Sequence, residues 1–249
     1  MYPICQVGIL LNFTCNRFCR SCEKLCNLDA ITGVSSLDGE MTRAELDIIL
    51  DQIEAVSTTL DDHLVTRSLA FSGGEPTLHP QLSEFLDAAV ERLEKPGIVG
   101  KVIVVTNGTN PTHPTYARHV TWTSMRDKPN QHVAFFADQA AMTRRVPVTF
   151  ATCCDHRKAQ VTVSHWGWNR CCGALGYVRM LCADDAMAPR LPLTEDGWPN
   201  MDDVCAVCAF GNCAPLERHV GRPFAPRFQW EAAWNKAGRK LGTKLEVTK

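Results

Sequence analysis

Apolar runs and helix-period segments alternate along this chain. Ile4 to Leu11 reads as a first strand, with an apolar run over Val7 to Leu11. Thr42 followed by Glu45 has the pattern of a capping box, in which each end residue satisfies an open N–H of the first helical turn. The helix it opens runs to about Val56, with Leu46, Ile49, Leu50 and Ile53 on one face. Ser68 to Phe71 reads as a short strand that ends in Ser72-Gly73-Gly74-Glu75-Pro76. A second helix over about Gln81 to Glu94 carries Leu82, Phe85, Leu86, Ala89, Val90 and Leu93 at helical spacing. The run Lys101-Val-Ile-Val-Val105 is apolar from Val102 onward without alternation, as expected for a parallel strand buried on both faces. It ends in Thr106-Asn107-Gly108-Thr109. Val133 to Phe136, Val146 to Phe150 and Val161 to Ser164 read as further strands. Repeated strand–helix units predict the α/β class with a parallel sheet, either open or curled into a barrel. In both arrangements functional residues gather beyond the C-terminal ends of the strands.

Composition narrows the setting. A chain of 249 residues can form one α/β domain or a domain with a small appendage. Its 45% hydrophobic content supports a substantial core, and a net charge of −1 provides no global field for nucleic acid or an anionic membrane. The N-terminal apolar run is too short for a signal peptide and no segment reaches transmembrane length, so a cytoplasmic protein is expected.

Thirteen cysteines are many for such a protein. An odd count without a secretory signal argues against a disulfide framework and for metal or cluster ligation. Five lie before residue 27 and eight between residues 153 and 213, which suggests two separate sites. The first group contains Cys15, Cys19 and Cys22 in a C-x3-C-x2-C spacing directly after the first strand. Three close thiols suit structural zinc or an iron–sulfur cluster. No second C-x2-C or histidine pair follows nearby, and Cys26 is the only close addition. That favours iron. A cubic cluster held by three cysteines keeps one iron open for chemistry.

The C-x3-C-x2-C motif, the Gly73-Gly74-Glu75 turn and their order resemble the radical S-adenosylmethionine (SAM) superfamily. The resemblance implies a partial (β/α)6 TIM-type barrel with a [4Fe-4S] cluster on Cys15, Cys19 and Cys22. It implies SAM beside Gly73, Gly74 and Glu75, with Thr106 and Asn107 on the same face. Two glycines allow close backbone approach to a ligand, and a carboxylate can receive the ammonium group of SAM. Taken alone, each of these segments is more simply a turn. Ser21 departs from the family, which usually has an aromatic or large apolar residue there near the adenine. The implied chemistry is reductive cleavage of SAM to a 5′-deoxyadenosyl radical, which abstracts a hydrogen atom from substrate. A flavodoxin or ferredoxin would supply the electron.

The second cysteine group spans Cys171-Cys172, Cys182, and Cys205-x2-Cys208-x4-Cys213. Four of these sulfurs could hold a second [4Fe-4S] cluster or zinc. The pattern is similar to the auxiliary-cluster modules called Twitch and SPASM. The expected ligands are Cys172, Cys182, Cys205 and Cys208, with Cys171 and Cys213 as alternates. The expected division is a partial barrel over 1–164, a cysteine-rich module over 165–225, and a C-terminal helix and tail over 226–249. Trp166 and Trp168 are expected to pack the module onto the barrel. The function expected from the resemblance is dehydrogenation or epimerisation of a small polar metabolite or a peptide side chain. RNA or nucleobase modification, and a non-enzymatic iron–sulfur or zinc protein, are the alternatives.

Overall fold

The computed structural model describes residues 4, 6–17, 24, 26, 39–59, 66–110, 112–117, 121–124, 160–171, 187–192, 195–201 and 245. The strands expected over 133–136 and 146–150 and the C-terminal helix lie outside these residues. So do Cys19, Cys22, Cys172, Cys182, Cys205, Cys208 and Cys213.

Strand β1 (Gln6–Leu10) leads through the segment carrying Cys15 toward helix α1 (Arg43–Thr59). Strand β2 (Ser68–Ser72) follows, then helix α2 (Leu82–Ala89), whose last turns widen into a π-helical stretch over Val90–Glu94. Strands β3 (Val102–Thr106), β4 (Thr121–Ser124), β5 (Gln160–Ser164) and β6 (Gly167–Asn169) complete the described elements. They form one sheet in the order β4-β3-β2-β1-β5-β6. The first five strands in that order are mutually parallel, and β6 turns back antiparallel to β5. β1 is therefore central, with β2 on one side and β5 on the other. Among the described residues no helix is long and apolar enough to cross a membrane.

Local sequence accounts for the helices. Thr42 N–H donates to Glu45 Oε2 at 2.7 Å and Glu45 N–H donates to Thr42 Oγ1 at 3.2 Å, so the capping box forms as expected. Leu46, Ile49, Leu50 and Ile53 are completely buried. Each such side chain contributes roughly 1.5–3 kcal/mol of burial free energy. The second helix keeps its predicted extent but not a uniform pitch. Lys95 N–H donates to Val90 O at 2.9 Å, a bond five residues long that marks the π turn. Gly97, at φ +82°, then ends the helix in the left-handed conformation. Arg92 joins the two helices, pairing with Glu54 at 2.8 Å, Asp51 at 2.5 Å and Asp47 at 3.5 Å on α1.

One expectation about the strands is modified and another is met. Val102, Val104 and Thr106 of β3 are buried, whereas Ile103 and Val105 are half-buried. The apolar run is thus covered more completely on one face than on the other. The predicted strand at 161–164 forms, but it pairs with β1 and continues through a two-residue turn into β6. The boundary expected at residue 165 falls inside that turn. Trp168 of β6 is completely buried and shares the main core with Ala188 and Leu191. Its indole N–H donates to Gln52 Oε1 of α1 at 2.6 Å. Trp168 therefore secures the sheet edge to the first helix.

Candidate functional site

The C-terminal ends of β1, β2 and β3 lie side by side, because the three strands are parallel neighbours in register. Each end carries one of the segments singled out in the sequence. Beyond β1 the chain runs Leu11-Asn12-Phe13-Thr14-Cys15, beyond β2 come Gly73-Gly74-Glu75, and beyond β3 come Asn107-Gly108-Thr109.

The first two segments run against each other as an extension of the sheet. Leu11 N–H donates to Ser72 O at 2.9 Å, Gly74 N–H to Asn12 O at 2.8 Å, and Glu75 N–H to Thr14 O at 2.9 Å. The Asn12 side chain adds a clamp, accepting from Gly74 N–H at 3.1 Å and donating to Glu75 O at 3.1 Å. This contact explains both glycines. A Cβ on Gly74 would lie 2.1 Å from Thr14 O, and one on Gly73, at φ +148°, would lie 2.5 Å from Asn12 O. The double glycine lets backbone approach the backbone that leads into the cysteine loop. This within-chain contact is a different role from the close approach to a ligand expected from sequence.

Glu75 differs more from expectation. Its side chain is completely buried. Oε1 accepts from Thr77 N–H at 3.1 Å, Thr77 Oγ1 at 2.7 Å and Thr106 Oγ1 at 2.6 Å, while Oε2 accepts from Asn107 N–H at 2.7 Å. With four donors of its own chain, the carboxylate is directed inward, capping the short helical turn at Pro76–Leu78 and tying β2 to β3. The reason is chemical: a buried carboxylate is stable only where its acceptor sites are filled. Thr106 is likewise committed, since its hydroxyl donates to Glu75 and accepts from Gly108 N–H at 3.1 Å.

Asn107 joins the third strand end to the cysteine loop. Its amide nitrogen lies 2.8 Å from Asn16 Oδ1 and 3.6 Å from Cys15 Sγ. Asn16 Nδ2 in turn donates to Thr109 Oγ1 at 2.6 Å. Cys15 Sγ also accepts from Arg17 N–H at 3.4 Å. Two N–H groups aimed at one half-buried sulfur suit a thiolate, which is a far better acceptor than a thiol. That environment fits a cysteine that ligates a metal or cluster. Cys15 is the one member of the expected triplet among the described residues, and among those residues no three His, Cys, Asp or Glu side chains gather into a group able to hold a metal ion.

Lys24, His79 and Phe13, which sequence reasoning did not single out, support this face. Lys24 Nζ reaches Ser72 Oγ at 3.4 Å, bringing a cation to the end of β2. His79 Nε2 lies 2.9 Å from Met41 O, and Met41 N–H donates to Leu11 O at 2.7 Å, so the turn after Glu75 is braced against the exit of β1. Burial holds the His79 imidazole below its ordinary pKa, opposed by the Met41 hydrogen bond and the nearby Glu40 charge. Phe13 stacks on Trp166 with ring centroids 4.8 Å apart, and His165 lies edge-on to Phe13 at 6.0 Å. Both tryptophans of the His165-Trp166-Gly167-Trp168 segment are therefore packed against the N-terminal half. Cys26 is buried. Cys171 is half-buried just beyond β6, its N–H donating to Asn169 Oδ1 at 2.9 Å.

No protein-family model matches this chain, and no curated protein matches it. Among solved structures it is similar to BtrN, determined in complex with AdoMet and 2-DOIA, at 15% identity and a TM-score of 0.43. The alignment covers 69% of this chain and 74% of that one. The similarity is distant.

Proposed function

We propose that this chain is a radical SAM enzyme. Cys15, Cys19 and Cys22 would hold a [4Fe-4S] cluster, and SAM would lie against Gly73, Gly74, Thr106 and Asn107, with Glu75 shaping the turn from within. The observation that carries the reading is the direct hydrogen bonding of the Cys15, Gly73-Gly74-Glu75 and Thr106-Asn107-Gly108 segments at three adjacent strand ends. A structural zinc knuckle needs no such platform. A cluster with an open iron beside a sulfonium substrate needs a rigid one, because the reacting atoms must be held in fixed geometry.

When loaded, the cluster would supply the electron that cleaves SAM to a 5′-deoxyadenosyl radical. The chain's own residues bind, orient and shield. Asn12, Glu75 and Thr106 hold the three turns in register, and the buried Phe13–Trp166 pair packs the exit of β1 against the turn between β5 and β6. The proposed fold is a partial (β/α)6 barrel followed by a module in which Cys172, Cys182, Cys205 and Cys208 carry a second cluster. The proposed reaction is dehydrogenation or epimerisation of a small polar metabolite or peptide side chain, with a flavodoxin or ferredoxin as reductant. The test is anaerobic reconstitution with iron and sulfide, followed by addition of SAM and dithionite. About eight irons per chain, two cubic clusters, with 5′-deoxyadenosine formed supports the reading. Zinc bound in place of iron, with SAM intact, refutes it.

A further inference from the structure

Asn107 was expected to contact the cofactor, yet its hydrogen-bonding capacity is used within the chain. Its backbone N–H donates to Glu75 Oε2 at 2.7 Å. Its side-chain oxygen accepts from Thr109 N–H at 2.9 Å and Thr109 Oγ1 at 2.5 Å. Its amide nitrogen serves Asn16 Oδ1 at 2.8 Å and Cys15 Sγ at 3.6 Å. Together with the bond from Asn16 Nδ2 to Thr109 Oγ1, these contacts close a ring through Asn16, Asn107 and Thr109. An asparagine side chain has two donor and two acceptor sites, and all four are engaged here. Aspartate has the oxygen that Thr109 needs but no N–H for sulfur. Serine keeps the local turn but does not reach.

We propose that Asn107 is a positioning residue for Cys15, fixing the cysteine loop to β3 and donating an N–H···S hydrogen bond that raises the reduction potential of the cluster Cys15 would hold. The inference rests on the radical SAM reading. An N–H directed at a ligating sulfur withdraws charge from it and stabilises the more negative, reduced cluster, so hydrogen bonds to sulfur are one of the protein's levers on potential. Such control matters where a low-potential cluster must be reduced before it acts.

The experiment compares Asn107→Ser, Asn107→Asp and Thr109→Val with the parent after anaerobic reconstitution. Iron per chain is measured first. The midpoint potential is then titrated for the cluster whose reduced-state EPR signal changes on adding SAM. Serine can still accept from Thr109 N–H in a local turn, so Asn107→Ser retains the fold while removing the sulfur donor. Both Asn107 variants should shift the potential to more negative values, Asn107→Asp further because it places a carboxylate oxygen beside sulfur. Thr109→Val opens the ring but leaves the amide, and should leave the potential near that of the parent. Loss of iron from Asn107→Ser, with Thr109→Val loading normally, also supports the positioning role. Unchanged potentials in both Asn107 variants, with iron bound, overturn the inference alone. A shift in Thr109→Val as large as that in Asn107→Ser overturns the assignment to the N–H. A parent that binds no iron refutes the functional reading and this inference with it.

Discussion

Gly74→Ala tests the contact on which the whole site depends. A Cβ at this position would lie 2.1 Å from Thr14 O, 2.6 Å from Thr14 C and 3.1 Å from Phe13 C. Ordinary van der Waals contact begins at 3.4 Å, so the two segments must separate by more than an ångström. The atoms in the way are backbone, which cannot swing aside like a side chain. Separation stretches the bonds from Gly74 N–H to Asn12 O and from Glu75 N–H to Thr14 O, now 2.8 and 2.9 Å. Two hydrogen bonds at about 1 kcal/mol each, with about 2 kcal/mol for overpacking, give a loss of about 4 kcal/mol. With a urea slope of about 3 kcal/mol per molar, the unfolding midpoint should fall by about 1.3 M. Gly97→Ala is the comparison. Gly97 is at φ +82° with nothing within 4 Å of a Cβ, so its loss is conformational only, about 1–2 kcal/mol. Urea unfolding followed by far-UV circular dichroism measures both. A Gly74→Ala midpoint equal to or above that of Gly97→Ala would refute the close approach of the two segments.

Three other substitutions examine separate parts of the account. Glu75→Gln keeps one oxygen for the Thr77 and Thr106 donors but turns an amide toward Asn107 N–H, so about 2 kcal/mol of stability should be lost, measured by urea unfolding. A variant as stable as the parent would contradict the inward carboxylate. Arg92→Met removes the common partner of Asp47, Asp51 and Glu54 and should cost about 1 kcal/mol in dilute buffer, a difference that shrinks in 1 M salt because these groups are partly exposed. A salt-independent difference would argue for packing instead. The third concerns pH. His79 is held below 6.5 when folded, so beneath that pH the unfolded chain binds the extra proton. Stability should fall as pH drops from 6.5 toward the folded value and be flat above it, and His79→Asn should lessen that slope in thermal melts between pH 5 and 8. An unchanged slope would show that His79 does not contribute.

How much of this was legible in the sequence depended on how local each interaction is. The capping box of Thr42 and Glu45 spans three residues, and the face of Leu46, Ile49, Leu50 and Ile53 follows from helix period alone. The strand-end positions of Gly73-Gly74-Glu75 and Thr106-Asn107-Gly108 could be read because apolar runs precede both. The direction of the Glu75 side chain could not. Its donors Thr106 and Asn107 lie 31 and 32 residues away, and no local pattern says that they will face it. Asn12 and Asn16 were missed for the same reason, since their partners are in the turns beyond β2 and β3 and they resemble ordinary loop residues. β4 is four residues long with two threonines and a serine, too short and polar to register as a strand. Trp168 was identified as a packing residue, but its bond to Gln52 crosses 116 residues and depends on β5 joining β1 rather than β4. The pairing order of a parallel sheet is not written in the periodicity of its strands.

The central claim is that Cys15 and the turns fixed to it serve a SAM-cleaving iron–sulfur cluster. Its most direct measurement is 5′-deoxyadenosine formation by the anaerobically reconstituted, dithionite-reduced protein, alongside a Cys15→Ala variant. The account predicts 5′-deoxyadenosine from the parent and none from the variant. Equal amounts from both, or none from a parent that has bound iron, would contradict it.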